Sequence, residues 1–167
     1  MALGPEALYP AGGYPGNDDD GKNMPNRAKI RTDLLNSAQH AKAHAHSNGK
    51  VGATGLCFGD AVINYLAVQL GSDLQAGVRF YGRAPKSEDM SRIKAAMLLN
   101  YAGNDKRVNT TRPGYGAALK ANGVSYAAYS YAGTRHGFHN NSTKRYNEEA
   151  AKLAWQRTIA HFKKHLS

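Results

Sequence analysis

The stretch that decides the fold is Lys50-Val51-Gly52-Ala53-Thr54-Gly55-Leu56-Cys57-Phe58-Gly59, in which a short apolar run leads into a cysteine flanked by glycines. The run over residues 50–58 predicts a buried β-strand, and a helix is predicted from Asp60 to about Leu70. Cys57 therefore lies at the joint between the strand and the helix. Small residues two positions before and two after the cysteine let such a joint turn sharply without side-chain clashes, and Gly55 and Gly59 meet this requirement.

Strand and helix signals alternate along the rest of the chain. Further strands are predicted over Ala76–Tyr81, Ala95–Tyr101 and Val124–Tyr131. Further helices are predicted over Arg27 to about His46, Ser87–Lys94, Pro113–Asn122 and Tyr146–Leu166. This alternation is typical of an α/β fold with a mostly parallel sheet and helices on both of its faces. The first 26 residues are rich in proline and glycine, which predicts a loop-rich segment within a single domain over residues 1–167.

The composition limits the classes of protein to which the chain can belong. The chain has 167 residues, a formal net charge of +10 and one cysteine. Large aliphatic residues are scarce, which by itself would leave disorder open, but the alternating elements argue against it. Neither a run of roughly 18 apolar residues nor a signal-peptide pattern is present, so we expect a cytoplasmic protein without a membrane span. The single cysteine excludes an internal disulfide and a multi-cysteine metal site.

Three reactive residues follow predicted strands: Cys57, Asp105 and His136. Ligands of parallel α/β sheets bind beyond the carboxyl ends of the strands, so we expect these three side chains to meet there. The chain order of nucleophile, acid and histidine, with a sharp turn at the nucleophile, favours nucleophilic catalysis. The turn would place the thiol at a helix N-terminus, where the dipole favours the thiolate, and would aim the Phe58 N–H at a developing oxyanion.

Each of these residues also has a plain structural interpretation. Free cysteines are usually small buried hydrophobic residues, so Cys57 alone favours a role in packing. Asp105 alone is accounted for as a turn residue and His136 as a loop histidine. The catalytic interpretation depends on their combination at three separate strand ends.

The sequence resembles the dienelactone hydrolase family, a cysteine-dependent branch of the α/β-hydrolases, over nearly its whole length. The segments that carry the resemblance are Gly13-Tyr14-Pro15-Gly16-Asn17-Asp18, Gly55-Leu56-Cys57-Phe58-Gly59, Phe80-Tyr81-Gly82, Tyr101-Ala102-Gly103-Asn104-Asp105 and His136-Gly137-Phe138-His139-Asn140. The resemblance implies that Cys57 is the nucleophile, His136 the general base and Asp105 the acid that orients it. It also implies hydrolysis of small esters or lactones through a thioester acyl-enzyme, without a metal or organic cofactor.

The chain departs from the family pattern at its start. Family members have further strands ahead of the point where this sequence begins, and residues 1–6 resemble the strand that follows the first crossover helix. We therefore expect an N-terminally truncated α/β-hydrolase-like sheet with an incomplete oxyanion hole. The strand before Cys57 would then be covered by residues 2–9, or by a second copy of the chain in a homodimer. A catalytically weak or inactive scaffold that binds partners through this sheet edge is the alternative function.

Other departures concern the surroundings of the nucleophile. Asp60 stands where the family usually has glycine, and an acid there can cap the helix but opposes thiolate formation. Candidate substrate contacts are Tyr81 and Arg83, just past a strand, and Arg135, which either binds a substrate carboxylate or reaches solvent. Asn140 stands where the resemblance implies an arginine that holds the dienelactone carboxylate, which disfavours dienelactone itself as the substrate.

Two patterns that resemble metal sites, and the positive net charge, are the remaining candidate binding features. His40 and His44 share a helix face, with His46 close by, but no acid or cysteine accompanies them, so we predict no metal site there. Residues 17–21 resemble a calcium loop that lacks its final glutamate, which favours a polar turn. Lysines and arginines are spread along the chain without a base-stacking motif, which disfavours a nucleic-acid partner.

Overall fold

The computed structural model describes residues 1–16 and 27–167, which form two compact units, Met1–Gly49 and Lys50–Ser167. In the first unit a 3-10 turn spans Tyr9–Ala11, and helix α1 spans Arg27–Ala43 with Ile30 buried. Residues 1–16 contain no strand, so residues 1–6 do not form the strand they were expected to resemble, and residues 2–9 add no strand to the sheet. Pro5 within this segment and Pro10 directly after it favour turns over a strand. The calcium-loop pattern of residues 17–21 lies outside the described residues, and the single domain over residues 1–167 stays a prediction.

The second unit is built on a four-stranded sheet in which every neighbouring pair is parallel. The strands lie in chain order, as β1 (Gly52–Leu56), β2 (Ala76–Phe80), β3 (Ala96–Ala102) and β4 (Tyr126–Tyr131). The helices are α2 (Phe58–Leu70), α3 (Lys106–Asn109), α4 (Arg112–Ala121) and α5 (Glu148–Leu166). The predicted parallel α/β fold is confirmed.

Two elements differ from the sequence-based expectation. The segment predicted as a helix over Ser87–Lys94 is a 3-10 helix over Ser87–Arg92. It ends because Ile93 is extended and fully buried, which turns the chain into β3. Helix α3 was not predicted, since its four residues are too few to show a hydrophobic period.

Alternate residues of β2 face different helices, as the two-residue period of a strand requires. Val78 and Phe80 pack in one cluster with Ala150 and Ala154 of α5. On the other face, a Cβ added to Gly77 would lie 3.3 Å from Ile63 of α2. Helices therefore cover both faces of the sheet. Alanine and glycine at these contacts bring the helices close to the sheet, so few large aliphatic residues are needed to fill the core.

β1 is an edge strand among the described residues, because β2 is its only neighbour in the sheet. The Val51 carbonyl accepts hydrogen bonds from the backbone N–H groups of Gln75 and Ala76. Since the backbone groups of a parallel strand alternate in direction, those of Gly52, Thr54 and Leu56 point to the open edge. None of the described helices has a stretch both long and apolar enough to cross a bilayer.

Candidate active site

The turn between β1 and α2 holds Cys57 in a strained conformation. Cys57 is the N-cap of α2 with φ +52° and ψ −111°, a region that non-glycine residues rarely occupy. Its side chain is exposed. A Cβ on residue 55 would overlap the Gly59 carbonyl group and lie 2.9 Å from the Gly59 Cα, whereas a Cβ on residue 59 would meet nothing within 4 Å. Of the two glycines predicted to shape the turn, only Gly55 is required by its contacts.

The loops after β3 and β4 bring Asp105 and His136 together. His136 Nδ1 lies 2.6 Å from Asp105 Oδ2, and the other carboxylate oxygen of Asp105 accepts the Val108 N–H at the start of α3. Asp105 is buried, and 29% of the His136 side chain is exposed. This pairing leaves His136 Nε2 as the ring nitrogen available to a reacting group. The sequence predicted this meeting of acid and histidine.

Backbone hydrogen bonds join the loops after β3 and β4 to each other. The Gly103 N–H donates to the Tyr131 carbonyl at 2.9 Å, and the Asn104 N–H donates to the Thr134 carbonyl at 2.9 Å. A Cβ on Gly103 would lie 2.7 Å from the same Tyr131 oxygen, so this close approach requires glycine. The separation of Asp105 and His136 is therefore fixed by backbone hydrogen bonds on both of their loops.

Tyr81, the first residue after β2, links the thiol to the histidine. It is buried and has φ +46°; Cys57 and Tyr81 are the two non-glycine residues with positive φ among the described residues. A hydrogen bond with the Tyr81 hydroxyl lowers the pKa of the Cys57 thiol, and the Tyr81 ring centroid lies 4.9 Å from that of His136. The sequence pointed to Tyr81 only as a substrate contact. The Phe80-Tyr81-Gly82 segment marks Tyr81 as a site residue, but the sequence does not show that Tyr81 contacts the thiol.

The electrostatic surroundings of the thiol differ from the expectation. Although Cys57 is exposed, partial burial raises the pKa of its thiol above the ordinary value. The Tyr81 hydrogen bond and the charge of Arg145 lower that pKa, while the Asp60 carboxylate raises it. The pKa of the thiol is raised overall because loss of hydration outweighs the groups that favour the thiolate. The expected opposing effect of Asp60 is found.

Asp60 forms a buried ion pair beneath the turn and does not cap the helix. Its Oδ1 accepts from Arg79 Nε of β2 at 2.7 Å, and both side chains are fully buried. The Arg79 guanidinium also packs 4.8 Å from the Tyr115 ring centroid and donates to the Gly82 carbonyl. Burial raises the pKa of Asp60 to about 6, against the opposing effect of Arg79. The capping role expected of Asp60 is wrong, because its carboxylate is engaged by a neighbouring strand.

The remaining candidate residues lie around the site without joining the acid–histidine pair. Phe58 is the first residue of α2, a position whose N–H lies outside the helical hydrogen-bond ladder. The Arg83 side chain is exposed, and its carbonyl accepts from Asn64 at 3.0 Å. Arg135 lines a cavity of about 170 Å³ together with Lys144 and Arg145.

The histidines of the first unit lie close to one another. The ring centroids of His40 and His44 are 5.7 Å apart, and those of His44 and His46 are 5.5 Å apart. Over residues 1–16 and 27–167, no cluster of three or more histidine, cysteine or acidic side chains is arranged to hold a metal ion.

The sequence model of the dienelactone hydrolase family matches residues 8–166. The chain belongs to the dienelactone hydrolase family. This confirms the resemblance noted from the sequence, and the parallel sheet flanked by helices agrees with it. A relative from Saccharolobus solfataricus, named "Putative carboxymethylenebutenolidase", is 30% identical over 148 residues, which cover 84% of this chain and 57% of the relative.

Two further proteins are similar to this chain over part of their length. The human "Carboxymethylenebutenolidase homolog" is 29% identical over 118 residues, which cover 68% of this chain and 46% of that protein. The crystal structure of the Klebsiella pneumoniae "Putative Dienelactone Hydrolase" superposes with a TM-score of 0.74 at 25% identity, over 82% of this chain and 61% of that one. The chain thus spans about half to three fifths of the length of these proteins.

The contacts of the two turn glycines predict opposite effects of the same substitution. Gly55→Ala places a methyl group into the Gly59 backbone, and we expect it to lower the free energy of unfolding by about 1–3 kcal/mol. Gly59→Ala adds a methyl group into open space within α2, and we expect it to be neutral or to stabilise by up to about 1 kcal/mol. Urea unfolding of both variants measures the difference. Equal losses of stability would show that the close approach at Gly55 does not shape the turn.

Proposed function

We propose that this member of the dienelactone hydrolase family hydrolyses small carboxylic esters or lactones with Cys57, His136 and Asp105 as its catalytic residues. The observation that carries the proposal is the 2.6 Å contact between His136 and Asp105, with Tyr81 contacting both His136 and the Cys57 thiol. A nucleophile on a strained turn, a histidine and an acid that fixes its tautomer are the parts of an acyl-transfer site.

The raised pKa of the thiol defines the task of the histidine. A thiol that is mostly protonated at neutral pH needs a base, so His136 takes the Cys57 proton as sulfur attacks the ester carbonyl. The Phe58 N–H donates to the tetrahedral oxyanion. When the intermediate collapses, the carbon–oxygen bond to the alcohol breaks, His136 returns the proton to the leaving alkoxide, and a thioester on Cys57 remains.

Water completes the cycle. His136 accepts a proton from a water molecule that attacks the thioester carbonyl, and the second tetrahedral intermediate expels the Cys57 thiolate, which recovers the proton. Asp105 accepts from His136 Nδ1–H throughout, holds Nε2 toward the reacting atoms and stabilises the imidazolium. The cycle balances without a cofactor.

We assign the substrate contacts to Tyr81, Arg83 and Arg135. Tyr81 contacts the thiol, and Arg83 lies two residues beyond it on the same loop. Arg135 precedes His136 and shares its cavity with Lys144 and Arg145, a cationic lining that suits a carboxylate on the substrate. The cytoplasmic location expected from the sequence stays a prediction.

Hydrolysis of p-nitrophenyl acetate and butyrate tests the proposal. We expect Cys57→Ala and His136→Ala to abolish turnover and Asp105→Asn to lower kcat by about 10²- to 10⁴-fold, since the wrong histidine tautomer is then favoured. His46→Ala, an exposed histidine in the other unit, is the matched control and keeps the wild-type rate. Wild-type rates in the Cys57 and His136 variants would rule out the proposed reaction.

A second candidate function, favoured by the open edge of β1, is assembly with a second copy of the chain. The edge presents the backbone groups of Gly52, Thr54 and Leu56, and an unpaired strand edge is a template for pairing with another strand. Such a homodimer would persist whether or not the chain is catalytically active.

Light scattering of Thr54→Pro and Thr54→Val tests this assembly. Proline removes the N–H that points to the open edge, while valine keeps the backbone unchanged. We expect wild type and Thr54→Val to be dimers and Thr54→Pro to be monomeric, with unchanged circular dichroism. A monomeric wild-type protein would contradict pairing through β1.

A further inference from the structure

Tyr81 is held in a conformation that its own sequence does not favour. A φ of +46° for a bulky aromatic residue costs about 1–3 kcal/mol and persists only where the surroundings determine it. On its N-terminal side, the Tyr81 N–H donates to the Asn100 carbonyl of β3 at 2.7 Å. On the C-terminal side of Tyr81, the backbone of Gly82 is contacted by the charged side chains of Arg79 and Asp60.

Arg79 and Asp60 hold that backbone from two directions. The Arg79 guanidinium donates to the Gly82 carbonyl through Nη2 and to Asp60 through Nε. The Asp60 carboxylate packs directly on Gly82, where a Cβ would overlap it and would lie 2.7 Å from the Asp60 Cβ. One guanidinium thus joins the segment after Cys57 to the segment after Tyr81. Cys57 and Tyr81 are the two non-glycine residues with positive φ among the described residues.

The pair is built into the core and is not a surface ion pair. The rings of Tyr115 and Tyr101 lie 4.8 and 5.9 Å from the Arg79 guanidinium carbon. Burying two charges costs more than a surface pair returns, and the Arg79 guanidinium meets Asp60 through Nε alone while its Nη2 donates to the Gly82 carbonyl. A role in positioning the Gly82 backbone accounts for the burial of the Asp60–Arg79 pair.

We propose that the buried Asp60–Arg79 pair is a clasp that holds Tyr81 against the Cys57 thiol, and that Asp60 and Arg79 are positioning residues for the nucleophile. The proposal rests on the proposed function, in which Cys57 is that nucleophile. The clasp fixes Gly82, Gly82 fixes the backbone of Tyr81, and the Tyr81 hydroxyl then donates to the sulfur. The clasp thereby favours the reactive thiolate through Tyr81, although the Asp60 charge by itself opposes it.

Alkylation by iodoacetamide measures this effect without ester hydrolysis. Cys57 is the only cysteine of the chain, so incorporation of the label reports on this thiol alone. Failure of the proposed esterase activity would leave this measurement intact, so the two failures are distinguishable.

The decisive variant is Arg79→Lys in the full chain. Lysine keeps the charge beside Asp60 but lacks the fork that reaches both Asp60 and Gly82. We expect alkylation at neutral pH about tenfold slower than in wild type, with the rate–pH profile moved to higher pH, as for loss of one hydrogen bond to a thiolate. Tyr81→Phe shows the same loss, and the double variant is no slower than Tyr81→Phe alone.

Arg112→Lys is the matched control. Arg112 also packs on the Tyr101 ring, at 5.1 Å, but takes no part in the clasp, and its substitution leaves the alkylation rate unchanged. A wild-type rate in Arg79→Lys would overturn the proposal. So would a double variant whose loss equals the product of the two single losses, because the pair would then act independently of Tyr81.

Asp60→Asn supplies an independent test should Arg79→Lys fail to fold. Removal of the negative charge alone favours the thiolate, so Asp60→Asn speeds alkylation in the Tyr81→Phe background. With Tyr81 present, loosening of the clasp opposes this gain, and we expect a smaller acceleration or a net decrease. Equal acceleration in both backgrounds would show that Asp60 affects the thiol through its charge alone, which would contradict the clasp.

Discussion

The absence of a side chain at residue 55 is the constraint on which the site depends. The backbone of Gly59 occupies the space that a Cβ on residue 55 would need, so α2 begins directly against the end of β1. This packing forces Cys57 into a positive φ at the tip of the turn, where its thiol is exposed. A nucleophile presented in this way is strained and reachable, which an ordinary helix residue is not.

The parallel sheet then supplies the partners of the thiol. Because β1 to β4 run in one direction, all four strands end at the same edge, and the residues that follow them meet there. Tyr81 follows β2, Asp105 follows β3 and His136 follows β4. Backbone hydrogen bonds between the last two loops hold the acid and the histidine at a fixed separation before any substrate arrives. Such preorganisation is the main contribution of a protein scaffold to acyl transfer.

Much of the fold and of the candidate site was predictable because it depends on local sequence patterns. Strand ends, the glycine-flanked cysteine and the order of Cys57, Asp105 and His136 are all visible in the sequence. Contacts between distant side chains were not visible. The pairing of Asp60 with Arg79, and of Tyr81 with Cys57, depends on how α2 packs on β2, which no local pattern specifies. The sequence therefore showed that Asp60 could cap the helix but not its pairing with Arg79, and the effect of burial on the pKa of the thiol was missed.

The mass of the protein after brief exposure to p-nitrophenyl acetate and an acid quench tests most directly whether Cys57 is the nucleophile. We predict a mass increase of one acetyl group, located on Cys57 by peptide mapping and absent from Cys57→Ala. We also expect the acetylated form to persist longer in His136→Ala, because the attacking water lacks its base. Ester turnover in wild type with no acetyl group on Cys57 at any quench time would contradict the account.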